Sequence, residues 1–137
     1  MLKDEQEPVE LAINVDTVRW LIEKAREFDA KVAPVEPDPG SNPTDDNEAE
    51  ILEDYANDAT AQELRAGIDR LDEDEIVDLI ALAWVGRGDF DRATWQEARA
   101  LAAERHRRRS SRYLMGIPAL GDYLEEGLAE LGYPAAD

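Results

Sequence analysis

The chain has 137 residues, no cysteine and a formal net charge of −18, from 33 acidic against 15 basic residues. That length suits one domain with one core, and the lack of cysteine excludes disulfides, thiolate metal sites and a cysteine nucleophile. The charge sets the molecule against nucleic acid and anionic lipid at long range.

The first ten residues, MLKDEQEPVE, have neither the basic start nor the apolar run of a signal peptide. The longest apolar stretch, Leu79–Val85, has 7 residues, where a bilayer span needs about 20. A cytoplasmic protein with no membrane contact is the expectation. Residues 1–13 read as a short flexible or extended arm in which Val9, Leu11 and Ile13 alternate with polar or small neighbours. Asn14 and Asp16 are good N-caps for a first helix whose stripe is Val18, Leu21, Ile22 and Ala25, with Phe28 at its edge. Trp20 falls opposite that stripe, so its indole meets another element or stands exposed as an interaction anchor.

Lys31–Thr44 holds four prolines and one glycine, which rules out regular helix or ladder pairing and predicts a stiff crossover connector, with a functional loop as the alternative. From Glu36 to Asp78, 16 acidic residues stand against Arg65 and Arg70. Helices are predicted at Asp45–Ala56, with Ile51, Leu52 and Tyr55 on one face, and from a Thr60–Glu63 capping box through Leu64, Ile68 and Leu71. A second box, Asp72 with Glu75, opens Ile76–Val85, a run apolar on nearly all faces and so expected at the centre of the core, with Trp84 buried. Gly86 and Gly88 end it. Thr94 with Glu97 is expected to cap a fifth helix, and a last one follows Pro118 through Leu120, Leu124, Leu128 and Leu131 to Gly132.

The corner Gly86–Asp91, GRGDFD, fails as a calcium loop. Ala93, Thr94 and Ala100 would occupy a ligand position, the turn glycine and the closing glutamate. It reads instead as a helix–loop–helix turn in which Gly86 takes positive φ and Asp89 or Asp91 caps backbone N–H groups. The acids Asp72–Glu75 suit a helix start, and Asp45–Asp54 suits a solvated face, although carboxylates at i, i+3 and i+4 can hold Mg²⁺. His106 is the sole histidine, set among arginines that disfavour its protonation. No phosphate loop, nucleophile elbow or paired-histidine motif is present, and no cofactor is implied.

From Arg99 to Arg112 six arginines face one glutamate. The block Arg105–Arg112 has three readings: pairing with acids of its own chain, docking an acidic protein surface or second copy, or contacting phosphates.

The stretches KAREFDAKVAPVEPDPGSNPTDD, LDEDEIVDLIALAWVGRGDF and SSRYLMGIPALGDYLEEGLAELG resemble the small bacterial proteins grouped as domain of unknown function 3775, over residues 17–132. The resemblance implies a compact helical bacterial protein, supplies no activity or catalytic residue, and draws attention to Pro34–Pro43 and Gly86–Asp91 as a shared surface.

The fold expected is all-α: one compact bundle of about six helices over residues 1–137, with the arm 1–13 and the Pro-rich connector 31–44. The favoured function is a non-enzymatic protein-interaction or regulatory module, binding a protein partner or a second copy. Its contacts are expected at Trp20, Glu36, Asp38, Arg87, Asp89, Arg107, Arg108 and Arg109. The alternatives are a carboxylate- or divalent-metal-dependent enzyme and an acidic mimic of nucleic acid.

Overall fold

A computed structural model describes residues 7–32, 58–106 and 110–134. Among them are six α-helices, one turn of 3₁₀ helix and no strand, the all-α fold that the sequence predicts. Asn14 starts α1 (Val15–Val32): its side-chain oxygen accepts the Asp16 N–H at 2.7 Å. Val18, Leu21, Ile22, Ala25 and Phe28 are buried along one face. Helix α1 continues through Lys31 and Val32, two residues into the expected connector. The remainder of that connector and the expected Asp45–Ala56 helix lie outside the described residues.

Helix α2 (Ala59–Asp69) is capped two residues earlier than the Thr60–Glu63 box would have it. Asp58 is the N-cap and accepts the Thr60 N–H at 2.8 Å. Lys31 Nζ reaches the same carboxylate at 2.7 Å, so Asp58 ties the end of α1 to the start of α2. Glu63 is drawn away to Lys24 Nζ at 2.6 Å. The Asp72–Glu75 capping box forms as expected, both bonds at 2.9 Å, and opens α3 (Glu73–Arg87).

Every residue from Val77 to Val85 is buried, which makes α3 the centre of the core. It packs on α6 (Leu120–Glu130) and α4 (Trp95–Arg105), while α1 packs on α6 and α2. Two glycines bring α3 and α6 together. A methyl at Gly86 would fall on the Tyr123 carbonyl, and one at Gly127 on the Leu82 carbonyl. Gly86 therefore lies within the helix and serves close approach, contrary to the expected positive φ. Gly88 takes that role at φ 100°, and the N–H groups of Gly88 and Asp89 both reach the Trp84 carbonyl.

Asp91 and Thr94 form a reciprocal box around the 3₁₀ turn Arg92–Thr94, with bonds of 3.0 and 2.9 Å. Thr94 is thus committed to Asp91 and gives α4 no side-chain cap, so the Thr94–Glu97 box does not form. The short helix α5 (Ser110–Met115) was not anticipated as a separate element. A turn with Ala119 at φ 62° leads into α6. There Leu120, Leu124 and Leu128 are buried, with Leu131 just beyond, and Gly132 ends the helix at φ 102°.

Residues 7–13 run without regular secondary structure and are fastened along their length. The Val9 N–H meets the Leu131 carbonyl at 2.8 Å and its carbonyl accepts the Tyr133 hydroxyl at 2.6 Å. Arg92 donates to the Glu7 carbonyl, and Ile13 is buried.

Candidate interaction surface

The end of α3, the corner after it, the end of α4 and the short helix α5 converge on four rings. Trp84 points inward from α3 and its Nε1–H donates to the Tyr113 hydroxyl at 2.9 Å, joining α3 to α5. Phe90, placed by the Gly88 turn, stacks on Trp84 at 5.9 Å between centroids. His106, the residue after α4, stacks on Tyr113 at 4.1 Å and meets Trp84 edge-on at 5.8 Å. Trp84 is buried, while Phe90, His106 and Tyr113 are half-buried, so the cluster has a core and an outer face. Offset and edge-to-face pairs of this kind add about 0.5–1.5 kcal/mol each beyond area burial.

Charge rims the rings. Arg87 Nε and Nη2 both donate to Asp89 Oδ2, at 2.8 and 2.5 Å, across the exposed corner. Burial works against the Arg87 charge, but Asp89 outweighs it, with Tyr113 assisting, and the guanidinium pKa rises above its ordinary value. Burial and then the neighbouring Arg105 push the His106 pKa down, so its imidazole is neutral at pH 7.

Two further charge clusters hold elements together. Asp78, fully buried in α3, accepts the Ala12 N–H at 2.5 Å and the Ile13 N–H at 3.3 Å through Oδ2, and Arg99 Nε of α4 at 2.6 Å through Oδ1. At the α1–α6 contact, Arg26 pairs with Asp122 at 2.9 Å and with Glu125. Asp29 beside them is pushed up to about 6 by burial and by the Asp122 charge, against a bond from the Ala119 backbone N–H. Among the described residues no three of His, Asp and Glu gather as a metal site would need.

Of the residues expected to make contacts, Arg87 and Asp89 lie on the rim of this cluster. Trp20 is on α1, 38% exposed, with its ring laid on α2 where a Gly67 Cβ would come 2.5 Å from Cζ3, and with Lys24 Nζ 5.8 Å from the ring centroid. Glu36, Asp38 and Arg107, Arg108 and Arg109 lie outside the described residues. Reading along the chain singles out neither the ring cluster nor Asp78. The available signals were a lone acid within the otherwise apolar run Val77–Val85, and two rings at the arginine block, His106 within it and Tyr113 directly after it.

The family described as "Protein of unknown function (DUF3775)" matches residues 61–133, just over half of the chain. The chain belongs to that family. The DUF3775 match takes in the ring cluster, the Gly86–Asp91 corner, Asp78 with Arg99, and both close-approach glycines. It starts after the Pro34–Pro43 loop, one of the two stretches singled out as a shared surface. No curated protein and no solved structure matches the chain significantly.

Proposed function

We propose that this DUF3775 protein is a non-enzymatic protein-interaction module of the bacterial cytoplasm, with its contact face at the Gly86–Asp91 corner. The carrying observation is the juxtaposition there of half-buried Phe90, His106 and Tyr113 with the exposed Arg87–Asp89 pair. Interfaces concentrate binding energy in aromatic and arginine anchors surrounded by a polar rim, and this corner has that composition. His106 supports a packing role: its ring is engaged by Tyr113 and Trp84 and is held neutral by burial. The corner is also well braced. The Gly88 cap, the Asp91–Thr94 box and the Trp84–Tyr113 bond fix its backbone and rings, which lowers the ordering cost of binding.

A photo-crosslinking amino acid at exposed Ala93, on the 3₁₀ turn, tests this in living cells against the same probe at exposed Ala66 on α2. The reading expects a discrete protein adduct from position 93, absent from position 66 and weakened by Arg87→Ser. Equal adducts from both positions, or none from position 93, would refute it.

A further inference from the structure

The arginines of this chain are employed unevenly. Arg26, Arg65, Arg87 and Arg99 are in ion pairs, and Arg19 and Arg92 donate to backbone carbonyls. Arg105 and Arg112 are exposed and make no side-chain hydrogen bond or ion pair among the described residues. Arg70 is likewise unpaired, but in sequence it sits between Asp69 and the acidic run Asp72–Glu75. In a chain with 33 acids for 15 basic residues, the two guanidiniums are not unpaired for want of carboxylates. Both occupy last turns of helices, where a cation favours the dipole. That role leaves the five N–H donors of each guanidinium unused.

Their placement relative to the rings is specific. Arg105 precedes His106 and Arg112 precedes Tyr113, and those two rings stack at 4.1 Å. Because consecutive Cα atoms lie about 3.8 Å apart, both arginines spring from the immediate borders of one ring pair. The depressed pKa of His106, caused by burial and then by Arg105, agrees with a locally positive environment in an otherwise acidic molecule.

We infer that the partner of this corner presents an acidic peptide segment, whose carboxylates are taken by Arg105 and Arg112 on either side of the His106–Tyr113 stack. The inference rests on the interaction reading above and names the chemistry of the partner. Guanidinium forks match carboxylates two bonds at a time, and the rings offer apolar surface to the aliphatic stems of Glu or Asp. A short peptide brings few charges, which act locally within a screening length of about 8 Å. A nucleic acid, with one charge per roughly 1.7 Å of duplex, must lay many phosphates over a chain of net charge −18.

The test is fluorescence polarisation of a labelled octaglutamate peptide and of a labelled 20-base-pair DNA duplex against the full chain, in low and moderate NaCl. The inference expects saturable, salt-sensitive binding of the peptide and weaker binding of the duplex. Loss of both charges in Arg105→Gln/Arg112→Gln should weaken the peptide about tenfold, as two exposed charge pairs would, while Arg105→Lys/Arg112→Lys retains part of it. Unchanged thermal melts of both variants show that the fold is intact. Equal peptide binding by the glutamine variant, no saturable peptide binding, or tighter binding of the duplex overturns the inference. So does a wild-type homodimer that the glutamine variant dissolves, since the occupant is then a second copy. If the position-93 adduct survives such a result, or its crosslinked segment proves non-acidic, the acidic partner falls and the interaction module stands. If the adduct is missing too, both fall.

Discussion

Asp78 divides its two oxygens between three groups that come from distant parts of the chain. The Ala12 and Ile13 N–H groups are 66 and 65 residues away and Arg99 is 21 residues away. Periodicity alone shows α3 as apolar on nearly every face and has no place for an acid there. Its partners become visible only once the arm and α4 are folded onto the helix. Without them the carboxylate would cost several kcal/mol to bury. With them it locks the arm and α4 to the central helix. Removing one member of a buried pair costs about 3–5 kcal/mol. Since the Arg99 side chain is 30% exposed, Asp78→Asn should lose about 3 kcal/mol, near the low end of that range. Urea titration should show a lower midpoint, and Asp78→Leu combined with Arg99→Leu should cost less than the two single changes summed. A loss under about 1 kcal/mol would mean that solvent, not Asp78, holds the Arg99 charge.

Between elements, the seams are made by small residues and by caps, and these were unequally legible. The Asp72–Glu75 box is wholly local and was readable. Thr60 and Thr94 sit in sequences equally suited to capping, yet Asp58 has Lys31 beside it and Asp91 has the Gly88 turn before it, so both acids win. Local chemistry names the candidates; the neighbouring element chooses among them. Gly86 shows the same limit, since a glycine at a helix end can serve a turn or a close approach, and only the position of Tyr123 decides. The α1–α6 seam also carries a pH response. Asp29 faces Asp122, with Arg26 and Glu125 in the same cluster, and its pKa rises from the ordinary 3.8 to about 6. A pKa raised in the folded state means the protonated form is favoured by folding. That stability is fully present below about pH 4 and is lost as pH climbs through 6. Asp29→Asn, which keeps an oxygen for the Ala119 N–H, should therefore melt higher than the parent at pH 7.5, with the gap narrowing as pH falls through 6 and closing near pH 4. His106, whose depressed pKa makes acidification unfavourable in both proteins, cancels in the difference. A gap independent of pH would remove Asp29 from the account.

Across the whole molecule the balance lies between many distant repulsions and a few contact pairs. The exposed pairs Lys24–Glu63, Lys31–Asp58 and Arg65–Asp69 each contribute little and weaken in salt. Opposing them is a net charge of −18 on 137 residues, whose self-repulsion disfavours the compact state. The two respond to salt at different rates. Screening length falls from about 30 Å at 0.01 M to about 10 Å at 0.1 M, which removes repulsion between acids on opposite faces while leaving pairs in contact, such as Lys24–Glu63 at 2.6 Å, largely intact. The melting temperature should therefore rise with NaCl, by several degrees between about 0.01 and 0.3 M. KCl should match NaCl, because screening depends on ionic strength and not on the identity of a monovalent cation. MgCl₂ at equal ionic strength separates screening from binding: a ligand held only by the folded state raises the melting point beyond the screening curve, with the logarithm of its concentration once that exceeds Kd. Coincident curves for all three salts would assign the stabilisation to repulsion alone. A flat or falling NaCl response would mean that the carboxylates are already compensated where they stand.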